Sequence, residues 1–241
     1  MQFELAIDDY FFLTPATIGT VELKQLLGDL KPMQKRRLSH YAKLAMGSLL
    51  QLEETSFDCN EGQGTPVCEL VFASRHGDFH KTSELLDTLA SKQEISPTAF
   101  SLSVHNAVSG LYSIFKNKKI PITAISAGRD TFLSALIEAY IRIHTKRLDK
   151  VILIYVDQPL PDHYQCFADE NQQGHAAALV LSANSNRAEG KVRLSFDNTT
   201  DAETSAEQNT NHCLMFCEWF TSAESHLVLS NQRANWVVKK L

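Results

Sequence analysis

The sequence lacks any hydrophobic run long enough to cross a bilayer. No stretch approaches the roughly 20 consecutive apolar residues that a membrane-spanning helix needs. Its first residues, MQFE, offer neither the basic segment nor the apolar core of a signal peptide. The five cysteines are an odd number at irregular spacings, which favours reduced thiols over a disulfide framework. We therefore expect a cytoplasmic protein without a membrane partner.

An excess of positive charge is also missing. The chain has 23 Lys and Arg residues against 28 Asp and Glu residues, which gives a formal charge of −5 at pH 7. Because non-specific nucleic-acid binding depends on clustered basic residues, we expect no nucleic-acid partner. The dense basic run at residues 35–37 lies in an amphipathic segment, and we interpret it as a solvated helix face.

Nucleotide-binding motifs and complete sets of metal ligands are absent from the sequence. No G-x-G-x-x-G or P-loop pattern occurs. His76 and His80 have the spacing of two zinc ligands on a helix, but no third ligand accompanies them. His212, Cys213 and Cys217 stand beside apolar residues, which is typical of core positions. We predict neither a cofactor nor a metal site.

What the sequence does contain is an alternation of strand and helix patterns. Apolar residues at three-and-four spacing predict a helix over residues 33–52, another over 81–90 and a third from Ser96 onward. Runs rich in β-forming residues predict strands at 67–74, 120–127, 151–156, 176–183 and 192–196. This order indicates an α/β fold with a mixed central sheet layered with helices.

The chain length suits one large domain. We predict an α/β domain over residues 1–198. After it the sequence becomes rich in Thr, Asn, Asp and Glu without an apolar period, so residues 199–241 are predicted as a polar linker followed by an aromatic segment. That segment is expected to pack back onto the domain through Phe216, Trp219, Phe220 and Trp236.

The most informative element is a predicted helix over residues 130–144, directly after Gly128. Its apolar residues leave almost no polar side, so we expect it to be the most buried helix. Its first turn would then lie deep in the protein, with unpaired backbone N–H groups and a positive dipole end. Many α/β enzymes place a nucleophile at such a position. The residues offered here are Ser126, Arg129, Asp130, Thr131 and Phe132.

Five segments occur in an order that is similar to that of a known family. They are MQKRRLSHYAKLAMGSLLQL at 33–52, VFASRHG at 71–77, SPTAFSLSVHNA at 96–107 with Gly110, DKVILIYVD at 149–157 and GHAAALVL at 174–181. The series resembles the N-terminal half of the β-ketoacyl synthases, and this implies one half of a thiolase-like fold. Within the family it resembles short ketosynthase-like proteins of aryl-polyene clusters, which act as chain-length factors beside a full ketosynthase.

The resemblance implies that this chain is not catalytic. Alignment to the family places Arg129 at the position of the cysteine nucleophile, and no cysteine occurs between Cys68 and Cys166. In the family a second half supplies two histidines and a lysine, and we expect the residues after Ala183 to be too few for it. We therefore predict no catalytic residue and interpret Ser126, Arg129, Asp130, Thr131 and Phe132 as a pseudo-active site.

Arg129 leaves two interpretations open. It could plug the site or contact a partner in place of the nucleophile. It could equally form an ordinary ion pair with an acid such as Asp130 or Glu138, since structural ion pairs have the same sequence pattern.

Two functions also remain open. The resemblance implies a chain-length-factor-like subunit that pairs with a catalytic β-ketoacyl synthase in polyketide or fatty-acid-type (aryl polyene) chain elongation. An acyl carrier protein would then meet this chain indirectly, and a homodimer is the fallback. The alternative is an acyltransferase or hydrolase that uses Ser126 or Thr131 with a histidine such as His105 or His163. Ser126 lacks the Gly-x-Ser-x-Gly context of a hydrolase.

The resemblance implies a pairing surface as well. Family ketosynthases dimerise through the strand before the nucleophile and the helix that precedes it, which correspond here to residues 120–126 and 96–110. The mixture of apolar and hydrogen-bonding side chains there is typical of an interface core. The predicted interface residues are Phe100, Val104, His105 and Asn106.

Overall fold

A computed structural model of the chain describes residues 2–28, 30–55, 68–183, 192–199, 210–230 and 235–241. In these residues eight strands form one sheet, in the order β3-β2-β4-β5-β1-β6-β8-β7. The strands are β1 (Gln2–Leu13), β2 (Cys68–Ala73), β3 (Ile122–Ile125), β4 (Lys150–Asp157), β5 (His175–Ser182), β6 (Val192–Thr199), β7 (His226–Ser230) and β8 (Asn235–Lys240).

The sheet is mixed, and its parallel part lies at one side. β2 runs parallel to both β3 and β4. The pairs from β4 across to β7 are antiparallel. Because parallel strands share a direction, the carboxyl ends of β2, β3 and β4 meet at the same edge of the sheet. The predicted mixed sheet of an α/β fold is confirmed.

Helices cover both faces of this sheet. They are α1 (Pro15–Ile18), α2 (Leu23–Leu26), α3 (Pro32–Arg36), α4 (His40–Thr55), α5 (Phe79–Ala90), α6 (Pro97–Ser103), α7 (Ala107–Lys116), α8 (Thr131–Lys146) and α9 (His212–Thr221). α4 contributes to the core on one face, and α8 and α9 contribute to the core on the other. Among the described helices, none is both long and apolar enough to cross a membrane.

The longest strand, β1, is one that the sequence analysis did not assign. Phe3, Leu5 and Ile7 alternate into the core beneath α8, as the two-residue period of a strand requires. An irregularity between Ile7 and Asp9 then shifts the register against β5. Beyond it Leu13 faces the opposite core. The bulge and the apolar run at its end interrupt the alternation, and this hides the strand from a search for one continuous period.

Two of the predicted helices are each divided in the structure. Residues 33–52 form α3 and α4, and the Ser39 hydroxyl accepts a hydrogen bond from the backbone N–H of Ala42 at 3.1 Å where α4 begins. The helix predicted from Ser96 onward forms α6 and α7, because Val104 takes an extended conformation with φ −68° and ψ 148°. Val104 therefore lies outside both helices and is exposed.

The prediction that α8 is the most buried helix is wrong. In the described chain α4 is buried more deeply, with every residue of 44–50 buried, because it lies between the sheet and the helices α2 and α7. α8 packs on β2 and β4 with one face. Its other side stays partly open at Ile137, Tyr140 and Ile141.

The last described segments extend the sheet and complete one core. β8 pairs with β6, and β7 pairs with β8. Phe216 and Trp219 of α9 and Trp236 of β8 are buried in the same core as α8. The division at residue 198 stays a prediction, and the sheet continues across it through β6. Most of the predicted polar linker, at 200–209, lies outside the described residues.

The cysteines differ from the expectation in one respect. Cys68 is disulfide-bonded, whereas Cys166, Cys213 and Cys217 are free. The expectation of reduced thiols throughout is therefore wrong for Cys68. An odd number of cysteines excludes complete pairing, but it does not exclude a single bridge.

Candidate functional site

The candidate site begins at the turn between β3 and α8. Gly128 has a φ of +60°, which favours glycine because it has no Cβ. Thr131 closes the turn: its Oγ1 accepts a hydrogen bond from the N–H of Ala127 at 2.9 Å and donates to the carbonyl oxygen of Gly128 at 2.6 Å. These contacts turn the chain from the sheet edge into α8.

The predicted pseudo-active-site residues range from exposed to buried along this turn. Ser126 is exposed, Arg129 and Asp130 are half-buried, and Thr131 and Phe132 are buried. The expected deep position is therefore wrong for the residues before Thr131, because β3 is an edge strand and the turn after it lies at a corner of the sheet. From Phe132 onward the helix enters the core, where its ring lies 5.6 Å from that of Tyr155 and 5.0 Å from that of Phe216.

Arg129 lies near acidic residues of the connection between β4 and β5. The pKa of Asp169 is below its ordinary value, mainly because Arg75 donates a hydrogen bond to it, and the charge of Arg129 lowers this pKa further. Glu138, one of the two acids predicted as a partner of Arg129, accepts instead from Nε of Arg142 at 2.6 Å. A role for Arg129 as a plug or partner contact stays a prediction.

The hydroxyls proposed as nucleophiles donate to backbone groups. Ser126 Oγ donates to the carbonyl oxygen of Arg75 at 2.8 Å, and Thr131 Oγ1 donates to that of Gly128. His105 Nε2 lies 2.8 Å from the carbonyl oxygen of Ser74, and His163 is exposed on a 3₁₀ turn. Since each hydroxyl has one proton, neither donates to a histidine in this geometry, and the alternative enzyme gains no support from it.

A buried carboxylate, Asp157, organises the same edge of the sheet at the end of β4. Its Oδ1 accepts from Ser74 Oγ at 2.9 Å and from the N–H of His76 at 3.3 Å. Its Oδ2 accepts from the N–H of Arg75 at 3.0 Å and from the Tyr155 hydroxyl at 2.6 Å. All four neighbours donate, so this side chain is held as an acceptor on both oxygens.

The network continues to the beginning of α9. Nδ2 of Asn211 donates to the Tyr155 hydroxyl at 3.4 Å and to Glu170 at 3.1 Å. Its Oδ1 accepts from the N–H groups of Cys213 and Leu214, which makes Asn211 the N-cap of α9. Glu170 in turn forms an ion pair with Arg75 at 3.2 Å. The turn after β2 and the beginning of α9 are therefore linked by side-chain hydrogen bonds.

No motif in the sequence alone identifies this network. The available signal was a polar residue at the end of each of two buried strands. Ser74 directly follows β2, and Asp157 is the last residue of β4. Polar side chains at the carboxyl ends of neighbouring parallel strands meet at one edge of the sheet. That the two strands are neighbours follows from the sheet order, which the sequence pattern alone did not establish.

Burial makes the thiol of Cys213 a poor nucleophile and keeps the imidazole groups of His175 and His212 from being protonated readily. The pKa of Cys213 is raised well above its ordinary value, mainly by burial, so its thiolate is disfavoured. Burial lowers the pKa of His175 and of His212, which favours their neutral forms. In the described part of the chain, no group of three His, Cys, Asp or Glu side chains could hold a metal ion.

The predicted interface residues lie in and directly after α6, and His105 joins them to the turn after β2, because its Nε2 lies 2.8 Å from the carbonyl oxygen of Ser74. Among the described strands none pairs with the outer side of β3. Phe100 is 59% exposed and Val104 41% exposed, and Asn106 is exposed before the first turn of α7. His105 is half-buried and packs edge-on against Phe72, with ring centroids 5.8 Å apart. We call β3 with Phe100, Val104, His105 and Asn106 the β3 surface.

A family model described as "Beta-ketoacyl synthase, N-terminal domain" matches residues 16–238. The chain belongs to this family. A comparison with curated proteins finds no match. The chain is also similar to a chain in the structure of the ketosynthase ApeO in complex with its chain length factor ApeC from Xenorhabdus doucetiae. That match has 25% identity and a TM-score of 0.78, and it covers 98% of this chain and 99% of the other.

Two further solved structures share the fold. The ishigamide ketosynthase/chain length factor matches with 14% identity and a TM-score of 0.53, covering 70% of this chain and 49% of the other. A β-ketoacyl synthase from Burkholderia phymatum matches with 14% identity and a TM-score of 0.55, covering 74% and 52%. Both matches extend over about half of the other chain. The predicted fold, one half of a thiolase-like fold, is confirmed.

Proposed function

We propose that the chain is a non-catalytic, chain-length-factor-like subunit that pairs with a catalytic β-ketoacyl synthase and helps to shape its acyl tunnel. It would act in aryl-polyene-type chain elongation in the cytoplasm. In this proposal the acyl carrier protein delivers substrate to the ketosynthase and meets this chain indirectly. Neither a cofactor nor a nucleic acid takes part.

The observation that carries the proposal is the match over the whole chain. The matched chain comes from a complex of a ketosynthase with its chain length factor. The match covers almost all of this chain and almost all of the matched chain, so these two chains are of similar length. The ishigamide ketosynthase/chain length factor and the β-ketoacyl synthase from Burkholderia phymatum are about twice as long as the part they share with this chain. This difference supports a subunit related to those in ketosynthase complexes.

The residues at the nucleophile position support the absence of catalysis. The strand–turn–helix junction at 122–131 contains no cysteine, and Arg129 is the residue that the sequence resemblance predicts at the nucleophile position. Of the free cysteines, Cys213 and Cys217 are buried in α9, and Cys166 is exposed on the connection between β4 and β5. Ser126 and Thr131 engage their hydroxyl protons with backbone carbonyls.

The β3 surface supports pairing. An unpaired strand edge exposes backbone donors and acceptors that another strand can satisfy. Phe100 and Val104 of the predicted pairing segment are exposed apolar residues that a partner could cover. Pairing there would bring the turn with Arg129 and the beginning of α8 close to the partner. The side chain of Arg129 could then limit the length of the partner's tunnel, whereas Phe132 is buried in the core of this chain.

Co-expression with a catalytic ketosynthase from the same gene neighbourhood tests the pairing. We expect the two chains to elute as one species in size-exclusion chromatography and Val104→Asp to separate them. Ile141→Asp is the matched control, because Ile141 is 42% exposed, nearly as Val104 is, but lies on α8. Separate elution of the wild-type chains, or equal effects of the two variants, would contradict the proposal. A stable homodimer that excludes the ketosynthase would also contradict it.

A further inference from the structure

We propose that Asp157 is a positioning residue that holds the turns beside the β3 surface in the geometry needed for pairing. The proposal rests on the function proposed above. Asp157 is buried at the end of β4 and does not reach the surface itself. It acts through the turn at residues 74–77, which follows the neighbouring strand β2.

The carboxylate of Asp157 fixes this turn by accepting hydrogen bonds from it. Each carboxylate oxygen accepts one backbone N–H and one hydroxyl: Oδ1 accepts from His76 N and Ser74 Oγ, and Oδ2 accepts from Arg75 N and the hydroxyl of Tyr155. Ser74 Oγ also accepts from the N–H of Gly77 at 2.8 Å. Three consecutive residues of the turn are thus bound directly, and the fourth is bound through Ser74.

The turn at residues 74–77 contacts both the pseudo-active site and the β3 surface. The carbonyl oxygen of Arg75 accepts from Ser126 Oγ at 2.8 Å, which joins it to the pseudo-active site. The carbonyl oxygen of Ser74 lies 2.8 Å from Nε2 of His105, which joins it to the β3 surface. Gly77 has a φ of +66°, and a Cβ on it would lie 3.4 Å from the His105 ring, so the turn and this histidine approach closely.

A substitution that keeps the shape of Asp157 isolates its role as an acceptor. In Asp157→Asn one oxygen becomes an NH₂ group. Because each oxygen faces a backbone N–H, either orientation of the amide places the NH₂ group against a backbone donor. The hydroxyls of Ser74 and Tyr155 can rotate, but the N–H groups of Arg75 and His76 cannot. The variant therefore releases the turn without creating a cavity.

Glu69→Gln provides a matched control. Glu69 is a second buried carboxylate, at the amino end of β2, and it binds Arg142 and Lys146 rather than the turn. Both variants remove one buried negative charge from the parallel part of the sheet. A role in stability alone would affect both variants in the same way, whereas a positioning role is specific to Asp157.

Hydrogen–deuterium exchange of the full-length chain gives the first test. We expect Asp157→Asn to accelerate exchange at residues 74–77 and 126–129 by about tenfold or more, since an unmatched buried donor favours local opening. Glu69→Gln should leave these two segments unchanged. Unchanged exchange in Asp157→Asn, or equal acceleration in Glu69→Gln, overturns the positioning role whether or not the chain pairs with a ketosynthase.

The second test uses the complex with the ketosynthase. We expect the affinity of Asp157→Asn for the ketosynthase to fall about tenfold or more, and that of Glu69→Gln to stay within about twofold of wild type. Wild-type affinity of Asp157→Asn together with accelerated exchange would overturn the link from the turn to pairing. Failure of the wild-type chains to pair at all would contradict the proposed function instead, so the two failures are distinguishable.

Discussion

The ammonium group of Lys240 closes the carboxyl end of α9 against Trp219. Its Nζ donates to the carbonyl oxygen of Trp219 at 3.1 Å and to that of Ser222 at 2.7 Å. The same atom lies 4.8 Å from the centroid of the Trp219 ring. The last strand thereby holds the end of α9 through these two carbonyl groups and through a cation–π contact.

Replacement of Lys240 should loosen this end of the chain. We expect Lys240→Met to lower the free energy of unfolding by about 1–2 kcal/mol, from the loss of the helix-end hydrogen bonds and the cation–π contact. Lys239→Met is the control, because Lys239 is the exposed neighbour on β8. Urea unfolding compares the two variants, and equal effects would show that the contact contributes nothing of its own.

Removal of residues 213–241 should unfold the protein or make it insoluble. This segment carries almost all of α9 together with β7 and β8. Its loss exposes the buried ring of Phe3, which lies 5.8 Å from that of Trp236, and that of Phe132, which lies 5.0 Å from that of Phe216. Each aromatic side chain buries on the order of 150–250 Å². Circular dichroism and thermal melting test this, and a soluble truncated chain with an unchanged melting temperature would contradict it.

The ion pairs of Glu69 should make stability depend on pH. Burial acts to raise the pKa of Glu69, but the hydrogen bonds and charges of Lys146 and Arg142 outweigh it, so this pKa lies below its ordinary value of 4.5. A carboxyl group with a lowered pKa in the folded state stabilises the protein above pH 4.5. That contribution is lost as the pH falls through the folded-state pKa.

We therefore expect Glu69→Gln to cost about 1–3 kcal/mol at neutral pH and less as the pH falls below the ordinary pKa of glutamate. Glu84→Gln is the control, because Glu84 is an exposed carboxylate on α5. Unfolding curves at several pH values decide the question. A cost for Glu69→Gln that stayed constant down to acidic pH would refute the assigned ion pairs.

Several elements of the fold could be predicted from the sequence because each of them has a single local pattern of apolar residues that indicates a strand or a helix. The apolar run of β4 and the helix after Gly128 are examples. The break at Val104 could not be predicted, since it depends on a backbone conformation that a valine does not require. The order of the strands depends on long-range pairing. The packing of α2 and α7 on α4, which makes α4 more buried than α8, also depends on long-range contacts.

The position of the candidate site could be predicted from the sequence, but its exposure and its hydrogen-bond network could not. The turn after β3 was identified from Gly128 and the apolar helix behind it. Its exposure could not be inferred, because that follows from the place of β3 at the edge of the sheet. Asp157 was missed because its role depends on the turn after β2, whose bonded residues Arg75 and His76 lie 82 and 81 residues away in the chain.

A cysteine at the nucleophile position should not create a condensing enzyme. The family resemblance implies that the histidines that polarise the thioester are missing from this chain. His212, which interacts with the charges of Arg129 and Asp130, favours its neutral form because burial lowers its pKa. We expect Arg129→Cys alone to give no condensation product from malonyl-carrier protein. Thiol titration serves as the control that the new cysteine is accessible. Detectable condensation would mean that the site has been misread.

The central claim is that the chain shapes the product of a partner rather than making one. The direct measurement compares products from malonyl-carrier protein and an acyl primer with this chain alone, with the catalytic ketosynthase alone and with both together. The account predicts no condensation by this chain alone and a changed distribution of chain lengths when both are present. Condensation by this chain alone, or an identical distribution with and without it, would contradict the account.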